Sequence, residues 1–186
     1  IPNLVIASPK DTEELREMLR WSVSYSHPLA IRYPRAGKVL FDSWDTPIEV
    51  GKWEYLVGNK DAKATILATG ERCLIIAMEI AQNLKKQGKS VDVVNARFVK
   101  PIDEEMIDEL VKEHKLIVTI EENVQTGGYG EKVLEYVNRK GYDAKVLILA
   151  LPDQYIEHGN IDVLRKETGI DSQSMTERII KTYKEL

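Results

Sequence analysis

Ala64-Thr65-Ile66-Leu67-Ala68-Thr69-Gly70 is an apolar run that ends on a glycine, and the pattern after it decides the fold class. Leu74, Ile75, Ala77, Met78, Ala81 and Leu84 recur at the spacing of one helix face, and Gly88 closes that helix. Val91 to Ala96 is a second apolar run. Pro101 and Asp103 then open a helix that carries Met106, Ile107, Leu110 and Val111. Leu116 to Ile120 is strand again, a glycine cluster starts a helix with Val133, Leu134 and Val137, and Val146 to Leu151 is the last strand. Two helices finish the chain, one around Ile161 to Glu167 and one from Met175 onward. Strands that are apolar throughout and alternate with helices predict a mostly parallel sheet covered on both faces. Upstream, Trp53 to Val57 reaches the next strand through the short turn Gly58-Asn59-Lys60-Asp61. Parallel neighbours need a crossover of about a dozen residues or more, so this strand is expected to run antiparallel, at an edge.

Residues before this region follow the same logic. Leu4 to Ala7 reads as a strand, broken by Ser8-Pro9. Asp11 or Thr12 can cap a helix with Leu15, Met18, Leu19 and Val23 on one face, ended by His27-Pro28. Leu29 to Tyr33 is another strand, and Pro34 stops its ladder. From Ala36 to about Pro47, across Gly37, Asp42 and Asp45, no period survives, which reads as the connection between two structural units. The chain opens Ile1-Pro2-Asn3-Leu4-Val5-Ile6, without an initiator Met, as the approach to a strand. It is expected to be a fragment of a larger α/β enzyme.

Composition narrows the function. The 186 residues are 43% hydrophobic, enough for a real core, and 30% charged, with a net charge of −4. No broad basic field exists, which argues against nucleic acid or acidic membranes as partners. No apolar run approaches the roughly 18 residues of a membrane span. Cys73 is the only cysteine, which excludes a disulfide framework or a multi-cysteine metal site and fits a reducing, cytoplasmic setting.

Few residues are candidates for chemistry. Arg32-Tyr33-Pro34-Arg35 lies at the carboxyl end of a strand, where open α/β sheets bind ligands. Two guanidiniums and a rigid proline can clamp an oxyanion or phosphate; on residue type alone, a surface pair or an arginine holding a carboxylate across a domain boundary is the simpler reading. Gly127-Gly128-Tyr129-Gly130 opens a helix and could face an anion. Its spacing is not the dinucleotide fingerprint and it lacks a P-loop lysine, so close packing of the helix start is preferred. Glu121 and Glu122 are adjacent in a strand and point to opposite faces, so they should not converge for acid–base work. One is expected to cap the glycine turn and the other to meet a partner, with Arg97 a candidate for one of them. His27 and His114 are expected at ordinary surface positions and His158 is read as structural, none having a second ligand at metal spacing. Cys73, near a helix start, has no local base and is read as packing.

Several of these stretches form a recognisable series: Ile31-Arg32-Tyr33-Pro34-Arg35; Ala96-Arg97-Phe98-Val99-Lys100-Pro101-Ile102-Asp103; Glu121-Glu122-Asn123 with Gly127-Gly128-Tyr129-Gly130; and Leu151-Pro152-Asp153-Gln154-Tyr155-Ile156-Glu157-His158-Gly159. Over essentially its whole length the chain resembles the C-terminal part of the 1-deoxy-D-xylulose-5-phosphate synthases, a group of transketolase-like, thiamine-diphosphate-dependent enzymes. The resemblance implies a three-layer α/β/α domain with a mostly parallel five-stranded sheet and one antiparallel edge strand. It divides the chain into residues 1–35, the tail of the pyrimidine-binding domain; 36–47, a linker; and 48–186, the transketolase C-terminal domain. It implies a parent homodimer that condenses pyruvate with glyceraldehyde 3-phosphate, releasing CO2, for isoprenoid and thiamine precursors. Thiamine diphosphate and Mg2+ would belong to the parent, and none is expected on this chain. The partners implied are the upstream domains and a small phosphorylated substrate. Arg35 matches the second arginine of the Arg-Tyr-Pro-Arg motif and would bind substrate phosphate. The family places Gly directly after it, whereas here Ala36 precedes Gly37. The activating glutamate and the metal motif have no counterpart here, so the chain alone is not expected to turn over substrate. Two alternatives stay open: a subunit of another transketolase-like enzyme, such as a split transketolase or an oxo acid dehydrogenase β subunit, and a non-enzymatic domain that binds an anion or a partner.

Overall fold

A computed structural model of the chain describes residues 1–35, 37–40, 46–59 and 61–184. Its main sheet has five strands: β3 (Glu54–Val57), β4 (Ala64–Ala68), β5 (Asp92–Asn95), β7 (Leu116–Val124) and β8 (Lys145–Leu151), in the spatial order β3-β5-β4-β7-β8. β4 lies parallel to β5 and β7, β7 parallel to β8, and β3 pairs antiparallel with β5 at the edge. The mostly parallel sheet and its antiparallel edge are as the sequence predicts.

Side-chain alternation splits the core in two. Ala64, Ile66 and Ala68 of β4, with Leu116, Val118 and Ile120 of β7, face α2 (Glu71–Lys86) and α6 (Ser172–Lys184). Leu67 and Ile117 point the other way, toward α3 (Glu104–Glu113) and α4 (Tyr129–Lys140). Both faces are therefore apolar, which is why the strands read as continuous runs. α3 starts where Asp103 accepts the Met106 N–H, and α4 ends at Gly141, whose left-handed φ of 70° suits a residue without Cβ. α5 (Ile161–Thr168) buries none of its residues.

A second, smaller sheet has the order β2-β1-β6. β1 (Val5–Ala7) and β2 (Leu29–Ile31) are parallel and are joined through α1 (Thr12–Ser22), capped by Asp11. The third strand, β6 (Phe98–Lys100), was not foreseen. It runs antiparallel to β1, bringing the beginning of the chain against its middle. The sequence hides it because Phe98-Val99-Lys100 is too short for a period and follows β5 almost at once. The connection at 36–47 is described only at 37–40 and 46–47; Ala36, Asp42 and Asp45, named above, lie outside the described residues. Lys38 O accepts the Thr12 N–H at 3.2 Å, and Leu40 N donates to Asp11, so the described part lies over the start of α1.

Three expectations are corrected. α1 ends at Ser22, before His27-Pro28, and only part of its expected apolar face meets the core: Met18 is fully buried and Leu15 half-buried, but Leu19 is 50% and Val23 89% exposed, while Glu14 is fully buried. Glu14 turns inward because buried donors wait for it there. His114 is not on the surface: it is 1% exposed, with Nδ1 2.9 Å from Leu110 O and Nε2 3.0 Å from Asp92. A histidine that ends a helix can reach back to the last turn's carbonyl, and Asp92 of β5 supplies the second partner.

Candidate functional site

The carboxyl ends of β2, β4 and β7 meet at a cleft of about 180 Å3. Arg32, Tyr33 and Pro34 form one wall, directly after β2, where Arg32 N donates to Ala7 O at 2.8 Å and extends the ladder by one bond. The other wall is Thr69-Gly70-Glu71-Arg72-Cys73, the end of β4 and the start of α2. Ser8 and Glu122 complete it. Arg35 is exposed and does not line this cleft, so the two arginines of the motif are not brought together on it.

The paired carboxylates part as expected. Glu121 accepts the N–H groups of Tyr129 (3.1 Å) and Gly130 (2.8 Å), capping the glycine turn from inside. Burial raises its carboxyl above the ordinary value, against the lowering influence of those amides and of the nearby Arg32 charge. Glu122 meets Arg165, at 2.5 and 3.1 Å. Neither meets Arg97, which corrects that pairing. Arg97 is fully buried; it donates to Lys52 O and Pro47 O and stands 3.5 Å from Glu14 of α1. The strand order explains this: Arg97 follows β5, which lies between β3 and β4, whereas Glu121 and Glu122 lie in β7 on the far side of β4.

Around Arg97 a buried polar network joins α1 to the main sheet. Asn95 Nδ2 donates to Glu14 at 3.1 Å and to Glu54 at 3.2 Å, Lys10 Nζ reaches Glu54 at 2.6 Å, and the Lys10 amide donates to Glu14. Burial pushes the Glu14 carboxyl up, against the Lys10 amide and the charges of Arg97 and Lys10. For Glu54 burial also pushes upward, but Lys10, Asn95 and Thr46 together prevail and hold it below its ordinary value.

The glycine turn is packing. A Cβ on Gly130 would stand 2.5 Å from Thr119 Oγ1 and 2.8 Å from Ile148 Cγ2. Gly130→Ala is expected to cost about 1–3 kcal/mol through overpacking. Urea unfolding checks it, and an unchanged midpoint would contradict the close approach. Cys73 is buried, and burial pushes its thiol up to about 12, so it is inert as a nucleophile. His27 and His158 are exposed, His27 in edge contact with the Tyr25 ring.

Among the described residues no group of three or more His, Cys, Asp or Glu could hold a metal, and none of the helices is long and apolar enough to cross a membrane. What the site offers is donors at strand ends, with no nucleophile beside a base. Sequence reading found the Arg32 wall but missed the α2 wall. The signal was available, since a strand ending on glycine before a helix is where backbone N–H groups are left free.

This arrangement, a mostly parallel five-stranded sheet with helices on both faces and an antiparallel edge strand, is shared with known proteins. The family model of the transketolase C-terminal domain matches residues 51–175, and the chain belongs to that family. Among curated relatives it is similar to the 1-deoxy-D-xylulose-5-phosphate synthase of Caldanaerobacter subterraneus subsp. tengcongensis, at 43% identity over 100% of this chain and 30% of the relative. The synthase of Clostridium perfringens (strain SM101 / Type A) is 40% identical over 97% of this chain and 29% of its own length. The chain thus spans less than a third of these relatives. Among solved structures, a split-gene transketolase described as an inactive beta4 tetramer superposes with a TM-score of 0.88 at 28% identity, covering 97% of this chain and 58% of that one. A transketolase of Campylobacter jejuni, at 16% identity, covers 97% of this chain and 26% of its own with a TM-score of 0.69, a likeness of fold alone.

Proposed function

We propose that this chain is the C-terminal part of a thiamine-diphosphate-dependent transferase that condenses pyruvate with glyceraldehyde 3-phosphate to 1-deoxy-D-xylulose 5-phosphate, releasing CO2. The observation that carries the reading is identity of about two residues in five to such synthases across nearly the whole chain. Within it, residues 1–35 belong to the pyrimidine-binding domain, 36–47 to a linker and 48–186 to the transketolase C-terminal domain. The parent is a cytoplasmic homodimer to which this chain contributes domain packing and dimer contacts.

The residues present do not fit the cofactor. The sequence has no Gly-Asp-Gly motif, and the described residues offer no convergent metal donors. On this reading thiamine diphosphate and Mg2+ are held by parts of the parent outside this chain, and the chain alone is inactive. Release of CO2 from pyruvate and glyceraldehyde 3-phosphate by the 186-residue chain would overturn that.

Arg35 is assigned to the substrate phosphate. An exposed guanidinium just past a strand end is free to present its planar fork to a phosphate. In the full-length enzyme, Arg35→Ala is expected to raise the KM for the phosphorylated acceptor about ten- to a hundredfold, the cost of one hydrogen bond to a charged group. An unchanged KM removes Arg35 from the role. A subunit of a split transketolase is the second reading, favoured by the superposition on the split-gene structure. Pyruvate-dependent CO2 release by the full-length enzyme separates the two.

A further inference from the structure

We infer that the start of α2, together with Ser8 and Thr69, forms an oxyanion subsite that takes a phosphate group. The subsite does not require the synthase reading. Four observations converge on it. First, α2 runs for 16 residues, Glu71–Lys86, and its N-cap is Gly70, which supplies no side-chain hydrogen bond. The amides of Glu71, Arg72 and Cys73 have no acceptor among the described residues; the first closed turn is Leu74 N to Gly70 O, at 3.1 Å. Free first-turn N–H groups and the positive end of the helix dipole favour an anion.

Second, the place has been left bare. Gly70 has a φ of 81°, and a Cβ there would stand 2.7 Å from Ser8 Oγ. Only glycine both adopts this backbone and lets a ligand approach the helix start closely. Third, two hydroxyls are waiting. Ser8 is 7% and Thr69 6% exposed and both line the cleft; the Thr69 hydroxyl is buried without a hydrogen bond, and the Ser8 hydroxyl faces Gly70 with no hydrogen-bond partner among the described residues. Buried polar groups are nearly always paired, so the sealed, unpaired Thr69 hydroxyl, beside the open Ser8 hydroxyl and the unpaired amides, calls for an acceptor. An oxyanion is an acceptor for all of them at once.

Fourth, the charges agree. Arg32 and Arg72 line the cleft from opposite walls. Of the two carboxylates there, Glu122 is neutralised by Arg165, and Glu71 is engaged by the Lys38 amide at 3.2 Å. The volume of about 180 Å3 suits a phosphate group and a short stem, and is too small for a nucleotide cofactor.

The shared chemistry is a phosphate group, either free or on a small phosphate monoester. The test uses the whole 186-residue chain, labelled with nitrogen-15 and titrated with inorganic phosphate or with glycerol 3-phosphate. The expected result is a saturable downfield shift of the Arg72 and Cys73 amides. Ser8→Ala and Arg72→Gln should each weaken it about tenfold, the loss of one hydrogen bond or charge to an anion. Arg72 is exposed, so its variant keeps the fold, and an unchanged spectrum elsewhere confirms this for both. Tighter binding of glycerol 3-phosphate supports a monoester site, and equal binding supports free phosphate. Amides that do not move with either probe, or that move equally in both variants, would overturn the subsite. Because only binding is read, such a failure leaves the synthase reading untouched, and an inactive parent enzyme leaves the subsite untouched.

Discussion

Arg97→Met is expected to lower the unfolding free energy by about 3–5 kcal/mol at neutral pH, the cost of taking from a buried carboxylate the guanidinium that faces it and leaving only the more weakly acting Lys10. Arg97 and Glu14 have side chains 1% and 0% exposed, and the guanidinium also satisfies the carbonyls of Pro47 and Lys52. Met keeps much of the volume and supplies none of the donors. The variant Arg97→Met with Glu14→Leu should recover part of the loss, since an apolar pair of similar size carries no stranded charge. The pH dependence has a fixed sign. The folded carboxyl of Glu14 already lies above its ordinary value of 4.5, through burial, and without Arg97 it rises further. A raised acid is fully compatible with the fold below its unfolded value and costs stability as pH rises through the folded value. The gap between variant and parent should therefore shrink as pH falls toward 4.5. Denaturant unfolding followed by circular dichroism at two pH values reads both; a gap that widens in acid would show that Glu14 is not the stranded charge.

Phe98→Ala is expected to cost about 3–5 kcal/mol. Phe98 is fully buried in β6, pairs with Ala7 of β1, and meets the Trp21 ring edge-on with centroids 6.2 Å apart. Its ring belongs to the core that holds Val5, Ala7 and Met18 against Trp53, Val94 and Tyr129. Removing it opens a cavity at the seam between the two sheets, where backbone pairing limits collapse. Thermal unfolding and Trp fluorescence check this together, because Trp21 borders the gap. A loss under about 1 kcal/mol would mean that the first 31 residues contribute little to the stability of the rest.

Most of the main sheet was legible in the sequence. A strand apolar at every position, such as Ala64–Ala68, has both faces buried, and that requires helices on both sides. The short turn after Val57 was enough to give β3 its reversed direction and edge position, but not its partner, since β3 pairs with β5 and not with β4, the strand that the turn leads to. Helix starts at Asp11 and Asp103 follow from local backbone chemistry. The roles of Glu121 and Glu122 were readable in outline, since neighbours in a strand cannot converge.

Partners distant in sequence were not legible. Glu14 and Arg97 are 83 positions apart and Glu122 and Arg165 are 43 apart, which leaves no local trace, and periodicity put Leu19 and Val23 on the same face as the buried Met18 while giving no sign that Glu14 is buried. His114 looked like a surface turn until β5 brought Asp92 to it. The cleft is the same case: Ser8 follows β1, Arg32 follows β2 and Thr69 follows β4, and no spacing in the chain links them. The sequence by itself determined the elements, the parallel sheet and its reversed edge, because burial and backbone geometry act on near neighbours. Only the tertiary structure decided which buried charges and unpaired donors share a site, because that depends on how β1 and β6 pair and where the strand ends meet.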